Sequence, residues 1–94
     1  MAKRIFVKLN MFTFNQPIFL MDDDNEFKRI TELPEDEVSD FIINFANINN
    51  IDEVELSGDK QFAQRIIFDL HNTLTTEYAE KKVRVSLNGE LCFE

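Results

Sequence analysis

The chain has 94 residues, a formal net charge of −8, one cysteine and 44% hydrophobic residues, including ten Phe. This length supports one hydrophobic core, the composition excludes a disordered chain and a disulfide framework, and no apolar run approaches the roughly 18 residues that span a bilayer. We therefore expect one soluble domain over residues 1–94, located in the cytoplasm, with no signal peptide, membrane partner or cofactor.

Three strands are predicted in the first third of the chain. Residues 4–14 alternate with period two, which predicts one long strand. One face of this strand would carry Ile5, Val7, Leu9 and Met11. Residues 15–17 are predicted to interrupt it, because Asn, Gln and Pro break a strand pattern. A second strand over 18–21 and a third over 27–31 would then flank an Asp-rich turn.

Two helices alternate with two strands in the rest of the chain. Pro34 and the three acidic residues after it predict a helix start, since Pro suits a first turn and carboxylates favour the positive end of the helix dipole. The predicted buried face of this helix is Val38, Phe41, Ile42, Phe45 and Ala46. The second helix follows a strand at 53–56 and a turn at 57–59, and would bury Phe62, Ala63, Ile66, Ile67, Leu70 and Leu74. A last strand over 83–87 and an Asn-Gly turn precede a short tail.

The predicted fold class is α+β, with the order βββαβαβ, a mixed sheet and two helices. The strand-helix-strand units imply parallel crossovers, and the first three strands imply an antiparallel meander. This order is similar to the core of ribonuclease H-like and actin-like folds, which is an analogy of topology and does not fix a function.

No combination of residues predicts catalysis. A ribonuclease H-like metal site needs converging carboxylates, one of them classically on the first strand, where only Asn10 is available. His71 is the only histidine, so a histidine metal site or a Ser-His-Asp triad is disfavoured. We expect a protein that is not an enzyme and has no metal, and a degenerate metal-dependent nuclease is the weakest of three alternatives.

An acidic block extends from Asp22 to Asp40 and has a net charge of −7. Such a block repels a phosphate backbone and attracts a basic protein. The candidate partner-binding carboxylates are Asp22, Asp23, Asp24, Glu26, Glu35, Asp36, Glu37 and Asp40. A solvated rim is the structural alternative, since turns and helix starts also favour these residues.

A surplus of apolar residues gives a second candidate surface. The first strand is apolar on both faces, and two helices on one face of the sheet would leave part of the other uncovered. The candidate residues for partner binding or self-association are Phe6, Phe12, Phe14, Ile43 and Phe68. The alternatives are a bend of the first strand into the core, or the tail at 91–93 folding over these side chains.

Two parts of the sequence carry a resemblance, which are residues 10–16 (Asn-Met-Phe-Thr-Phe-Asn-Gln) and the unit from Val54-Glu55-Leu56-Ser57-Gly58 to Val83-Arg84-Val85. In these parts the chain resembles small accessory proteins of Gram-positive phages and integrative elements. The resemblance implies an inhibitor or modulator of a host defence or other nucleic-acid-handling protein, similar to anti-CRISPR proteins. A non-enzymatic binding protein is the leading hypothesis, because a net charge of −7 is concentrated in the nineteen residues of the acidic block and no combination of residues predicts catalysis. A structural protein that forms a homodimer through its Phe-rich amino-terminal sheet is the alternative.

Overall fold

The computed structural model describes residues 3–21, 27–49, 51–76 and 83–93, which form one mixed sheet and two helices. The strands are β1 (Arg4–Lys8), β2 (Asn15–Met21), β3 (Phe27–Pro34), β4 (Glu53–Ser57), β5 (Arg84–Leu87) and β6 (Glu90–Phe93), and the helices are α1 (Glu35–Ile48) and α2 (Lys60–Thr76). The α+β class and the element order are confirmed as far as β5, and β6 is additional. The similarity to ribonuclease H-like and actin-like folds stays a prediction.

The strand order in the sheet is β3-β2-β1-β4-β5-β6. The three central strands β1, β4 and β5 are parallel, whereas β2, β3 and β6 join their neighbours antiparallel. The parallel crossovers predicted from the strand-helix-strand pattern are therefore confirmed. All three parallel strands end at the same edge of the sheet, together with the starts of both helices.

The core lies between one face of this sheet and both helices. Ile5, Val54 and Val85 are consecutive partners across three strands and are all fully buried. Above them lie the apolar stripes of the helices. Their buried members are Val38, Ile42 and Ala46 of α1 and Ala63, Ile66 and Leu70 of α2. The predicted helix faces are confirmed at these positions, and the side chain of Leu74 lies outside the described residues.

The predicted single strand over residues 4–14 is wrong. Strand β1 ends at Lys8, and the chain turns over residues 11–14 before β2 begins at Asn15. The carbonyl of Asn10 accepts the N–H of Thr13 at 3.2 Å, and its side-chain oxygen accepts the N–H of Phe12 at 2.9 Å. Asn favours such local turns over a strand ladder, which explains the early end of β1.

Three further boundaries differ from the prediction. Residues 15–17 do not interrupt a strand but begin β2, where Gln16 is fully buried. The third strand continues to Pro34 because it pairs with β2 over its whole length. The tail after the Asn-Gly turn forms β6, which pairs with β5 as a hairpin. Both turn residues have positive φ, 51° at Asn88 and 87° at Gly89, as two-residue hairpin turns require.

Among the described residues, no helix is long and apolar enough to cross a membrane.

Candidate functional site

The loop between β1 and β2 presents hydrophobic side chains to solvent. Phe12 is 89% exposed and Phe14 is 74% exposed, and Met11 beside them is half exposed. Large apolar side chains grouped at one place on a small protein are typical of an interaction site. The bend of the first strand that could have buried these residues does occur, but it turns them outward.

A buried amide holds this loop in one conformation. The side-chain oxygen of Gln16 accepts the N–H of Asn10 at 2.6 Å, and its Nε2 donates to the carbonyls of Asn10 and Thr13 at 3.1 and 3.0 Å. The Thr13 hydroxyl shares its one proton between the carbonyls of Asn10 and Asn15, at 3.2 and 3.1 Å. Because Gln16 is fully buried and these contacts span the loop, the exposed phenylalanines project from a fixed backbone.

The β4–α2 and β5–β6 turns support the loop from the other side. The N–H of Leu9 donates to the carbonyl of Ser57 at 2.7 Å. Gly58, the next residue, exchanges two hydrogen bonds with the side chain of Asn88, at 3.0 and 2.9 Å. Asp59 then caps α2 by accepting the N–H of Phe62. We call this edge of the sheet the loop end, formed by residues 9–14, 57–60 and 88–89 and by the start of α1.

The acidic start of α1 belongs to the same end of the molecule. Asn15 and Pro34 are direct partners in the β2–β3 ladder, and Glu35 follows Pro34 as the first residue of α1. The Cα atoms of paired residues lie about 4.5 to 5.5 Å apart, and those of consecutive residues lie about 3.8 Å apart. The path from Phe14 through Asn15 and Pro34 to Glu35 therefore places the Cα atoms of Phe14 and Glu35 at most about 13 Å apart. Two surfaces that are distant in sequence therefore lie side by side.

We call this combination the aromatic-acidic surface, defined by Met11, Phe12, Phe14, Glu35, Asp36 and Glu37. Asp36, Glu37 and Asp40 are exposed, and Asp40 lies one helical turn beyond the first two. The other predicted acidic candidates, Asp22, Asp23, Asp24 and Glu26, lie outside the described residues. The residues that flank them, Met21 and Phe27, pair at the opposite end of the β2–β3 hairpin.

The remaining apolar candidates fall into different environments. Phe6 is half buried on the helix-free face of the sheet, where its ring lies 6.2 Å from that of Phe19 and 5.6 Å from that of Phe27. Ile43 is partly buried against the core, so its predicted position on an exposed surface is wrong. Phe68 is exposed on α2, as predicted.

Sequence reasoning missed Phe19 and Phe27 as partners of Phe6. We call Phe6, Phe19 and Phe27 the open-face phenylalanine cluster. Its rings are tilted or perpendicular to one another, which is a favourable arrangement for aromatic pairs. Only the strand register reveals the cluster, because each ring comes from a different strand.

No group of three or more His, Cys, Asp or Glu side chains that could hold a metal ion occurs within the described ranges. His71 and Cys92 are both exposed and line the same open groove beside α2. In comparisons with known proteins, no family model matches the chain and no curated protein matches it.

Proposed function

We propose that this chain is a non-enzymatic binding protein that docks its aromatic-acidic surface onto a basic surface of a protein partner. The single observation that supports this function is the pairing of Asn15 with Pro34, which places the exposed phenylalanines next to the carboxylates of α1. A partner that handles nucleic acid would offer such a basic surface, and covering it would inhibit or modulate that partner. The expected origin in a phage or integrative element and the expected cytoplasmic location form part of this proposal.

The two components of the surface have different roles in binding. Exposed aromatic side chains are the residues that most often supply binding energy when they enter a partner's pocket. The carboxylates at the start of α1 accelerate encounter with a positive surface and select against negative ones, including a phosphate backbone. Because Gln16 and Asn10 already fix the loop, little conformational entropy is lost when Phe12 and Phe14 become ordered in a complex.

Affinity purification with three baits and a fourth as control tests this function. The wild-type chain, the F12S/F14S variant and the D36N/E37Q variant are compared in cells that express defence and replication proteins. We expect a basic protein that the wild type retains and that both variants lose. A matched control is D52N/E53Q, which removes the same two charges at the opposite end of β4. Partners retained equally by all four baits would contradict the proposal.

Phe12→Ser should weaken binding to the identified partner by about 30-fold, the effect of losing about 2 kcal/mol at an aromatic anchor. The free energy of unfolding should change by less than about 0.5 kcal/mol, because Phe12 is 89% exposed. Titration calorimetry and urea denaturation measure the two quantities. Affinity should also decrease with added salt for the wild type, and less steeply for D36N/E37Q. If Phe12→Ser lowered the free energy of unfolding together with the affinity, the result would contradict direct contact between Phe12 and the partner.

Self-association through the open-face phenylalanine cluster is a second candidate function. The observation in its favour is Phe27, which is 55% exposed although it packs edge-on against Phe6 and Phe19. A second copy that covered this face would bury all three rings.

Phe27→Ser should therefore shift a dimer toward monomer in sedimentation equilibrium and light scattering. Phe12→Ser is the control and should leave the dimer unchanged, because Phe12 belongs to the loop end. A wild-type chain that remains monomeric up to millimolar concentration would exclude this function and leave the first proposal intact.

A further inference from the structure

A second surface lies between the outer side of α2 and the edge strand β6. It is an open groove of about 720 Å³ whose apolar lining includes Ile67, Phe68 and Leu87. Lys60 and Arg65 also line it, and Phe68, which shares the lining with Ile67 and Leu87, is 64% exposed. We call it the α2–β6 groove.

The groove follows from the number of elements in each layer. Six strands at a spacing of about 4.8 Å make a sheet about 29 Å wide, whereas two helices each about 10 to 12 Å wide cover about 20 to 24 Å. Helix α1 packs on β2 and β3 and α2 packs on β5, so β6 extends beyond the helix layer. The described side chains of β6, which are Glu90, Leu91 and Cys92, are accordingly exposed.

The charge of the groove is opposite to that of the chain as a whole. Among the residues that the structure describes, its lining contains Lys60 and Arg65, both exposed, and no carboxylate, although the chain has 18 acidic residues against 10 basic ones. Gln64 and His71 are two further nitrogen-bearing side chains in the lining. An acidic ligand with an apolar part is complementary to these residues in both respects.

Strand β6 also offers a backbone edge. Within the ranges that the structure describes, no strand follows β6 in the sheet order. The outward N–H and C=O groups of an edge strand pair readily with an extended segment from another chain. Alternate side chains of such a segment would point toward the helix layer, next to Phe68 and Leu87.

We propose that the α2–β6 groove binds an extended acidic segment of a partner protein. The segment pairs with β6 as a seventh strand, places an apolar side chain against Phe68, and brings its carboxylates to Lys60 and Arg65. This surface is separate from the aromatic-acidic surface and has the opposite charge. The chain thus has two docking sites that select for opposite partners.

The proposal is tested by selecting, from a displayed library of random linear peptides, those that bind to the whole folded chain. We expect recovered peptides to be net acidic with apolar residues at alternate positions. For a synthetic copy of the strongest peptide, R65E should weaken binding at least about tenfold. The matched control is K28E, which makes the same charge change at an exposed position on β3 and should change affinity less than about twofold. Amide exchange in Glu90–Phe93 should slow when the peptide is bound.

Four results would overturn the proposal. Selection that yields no enriched family, or only neutral or basic peptides, contradicts the charge complementarity. Equal losses in R65E and K28E show that net charge rather than the groove is responsible. A single-stranded oligonucleotide whose binding is lost in R65E would assign the groove to nucleic acid instead. F12S separates the two sites, because it should leave peptide affinity unchanged, and a loss there would move the peptides to the aromatic-acidic surface.

Discussion

Gly58→Ala is expected to lower the free energy of unfolding by about 3 to 5 kcal/mol, the sum of backbone strain and a steric clash. Gly58 has a φ of 133°, a conformation that residues with a Cβ rarely adopt. An added Cβ would lie 2.3 Å from the carbonyl oxygen of Leu9. The backbone there has little room to move, because the N–H of Leu9 is bonded to Ser57. A domain of this size is stable by only about 5 to 14 kcal/mol, so the loss is large.

Gly89→Ala is the matched control for this prediction. Gly89 also has a positive φ, 87°, but an added Cβ would meet no atom within 4 Å. Its cost should be backbone strain alone, about 1 to 2 kcal/mol. Urea denaturation followed by circular dichroism measures both variants. Equal losses would show that backbone conformation, and not the approach of Leu9, accounts for the requirement for glycine at position 58.

The elements with strong periodicity could be predicted from the sequence. The buried stripe of α1 and the alternation of β4 each reflect a local pattern that tertiary structure reinforces. The parallel arrangement followed from the strand-helix-strand order. The boundary of β1 could not be predicted in this way. Residues 9–14 continue an alternating pattern, and their turn depends on a hydrogen bond from Asn10 to Gln16, six residues later.

The candidate surfaces were predicted only in part. Sequence reasoning identified Phe12, Phe14 and the α1 carboxylates, because an apolar surplus and a charge block are compositional signals. It did not bring them together, since their proximity depends on the pairing of Asn15 with Pro34. Ile43 illustrates the opposite error. Its helical position lies off the main apolar stripe, yet α1 packs against both the sheet and α2, so a wider face is covered.

The α2–β6 groove had no signal in the sequence beyond Phe68. The residues that line it come from α2 and from two strands near the end of the chain. Lys60 and Arg65 are ordinary exposed positions of an amphipathic helix when they are read locally. Their significance depends on β6, which sequence reasoning treated as a tail. A basic groove on a chain with a net charge of −8 emerges only when strand order and helix placement are combined.

Gln16→Met tests how far the loop end depends on one side chain. Met has nearly the same length and fills the same buried space, but it cannot replace the three hydrogen bonds to Asn10 and Thr13. Each such bond contributes about 1 kcal/mol, so the free energy of unfolding should decrease by about 2 to 4 kcal/mol. Amide exchange at Asn10 and Phe12 should accelerate relative to Ile5 and Val7, which lie inside the sheet.

Gln61→Met is the matched control for this variant. Gln61 is exposed on α2, so the same exchange should change the free energy of unfolding by less than about 0.5 kcal/mol. If the fixed loop supports binding, Gln16→Met should also lower the affinity for the partner of the aromatic-acidic surface, although Phe12 and Phe14 are intact. The reason is that the variant's loop must become ordered on binding, and the entropy lost opposes association. Peptides bound in the α2–β6 groove should keep their affinity. Unchanged partner affinity together with faster exchange at Asn10 would show that the phenylalanines bind without a preformed loop, and that Gln16 serves stability alone.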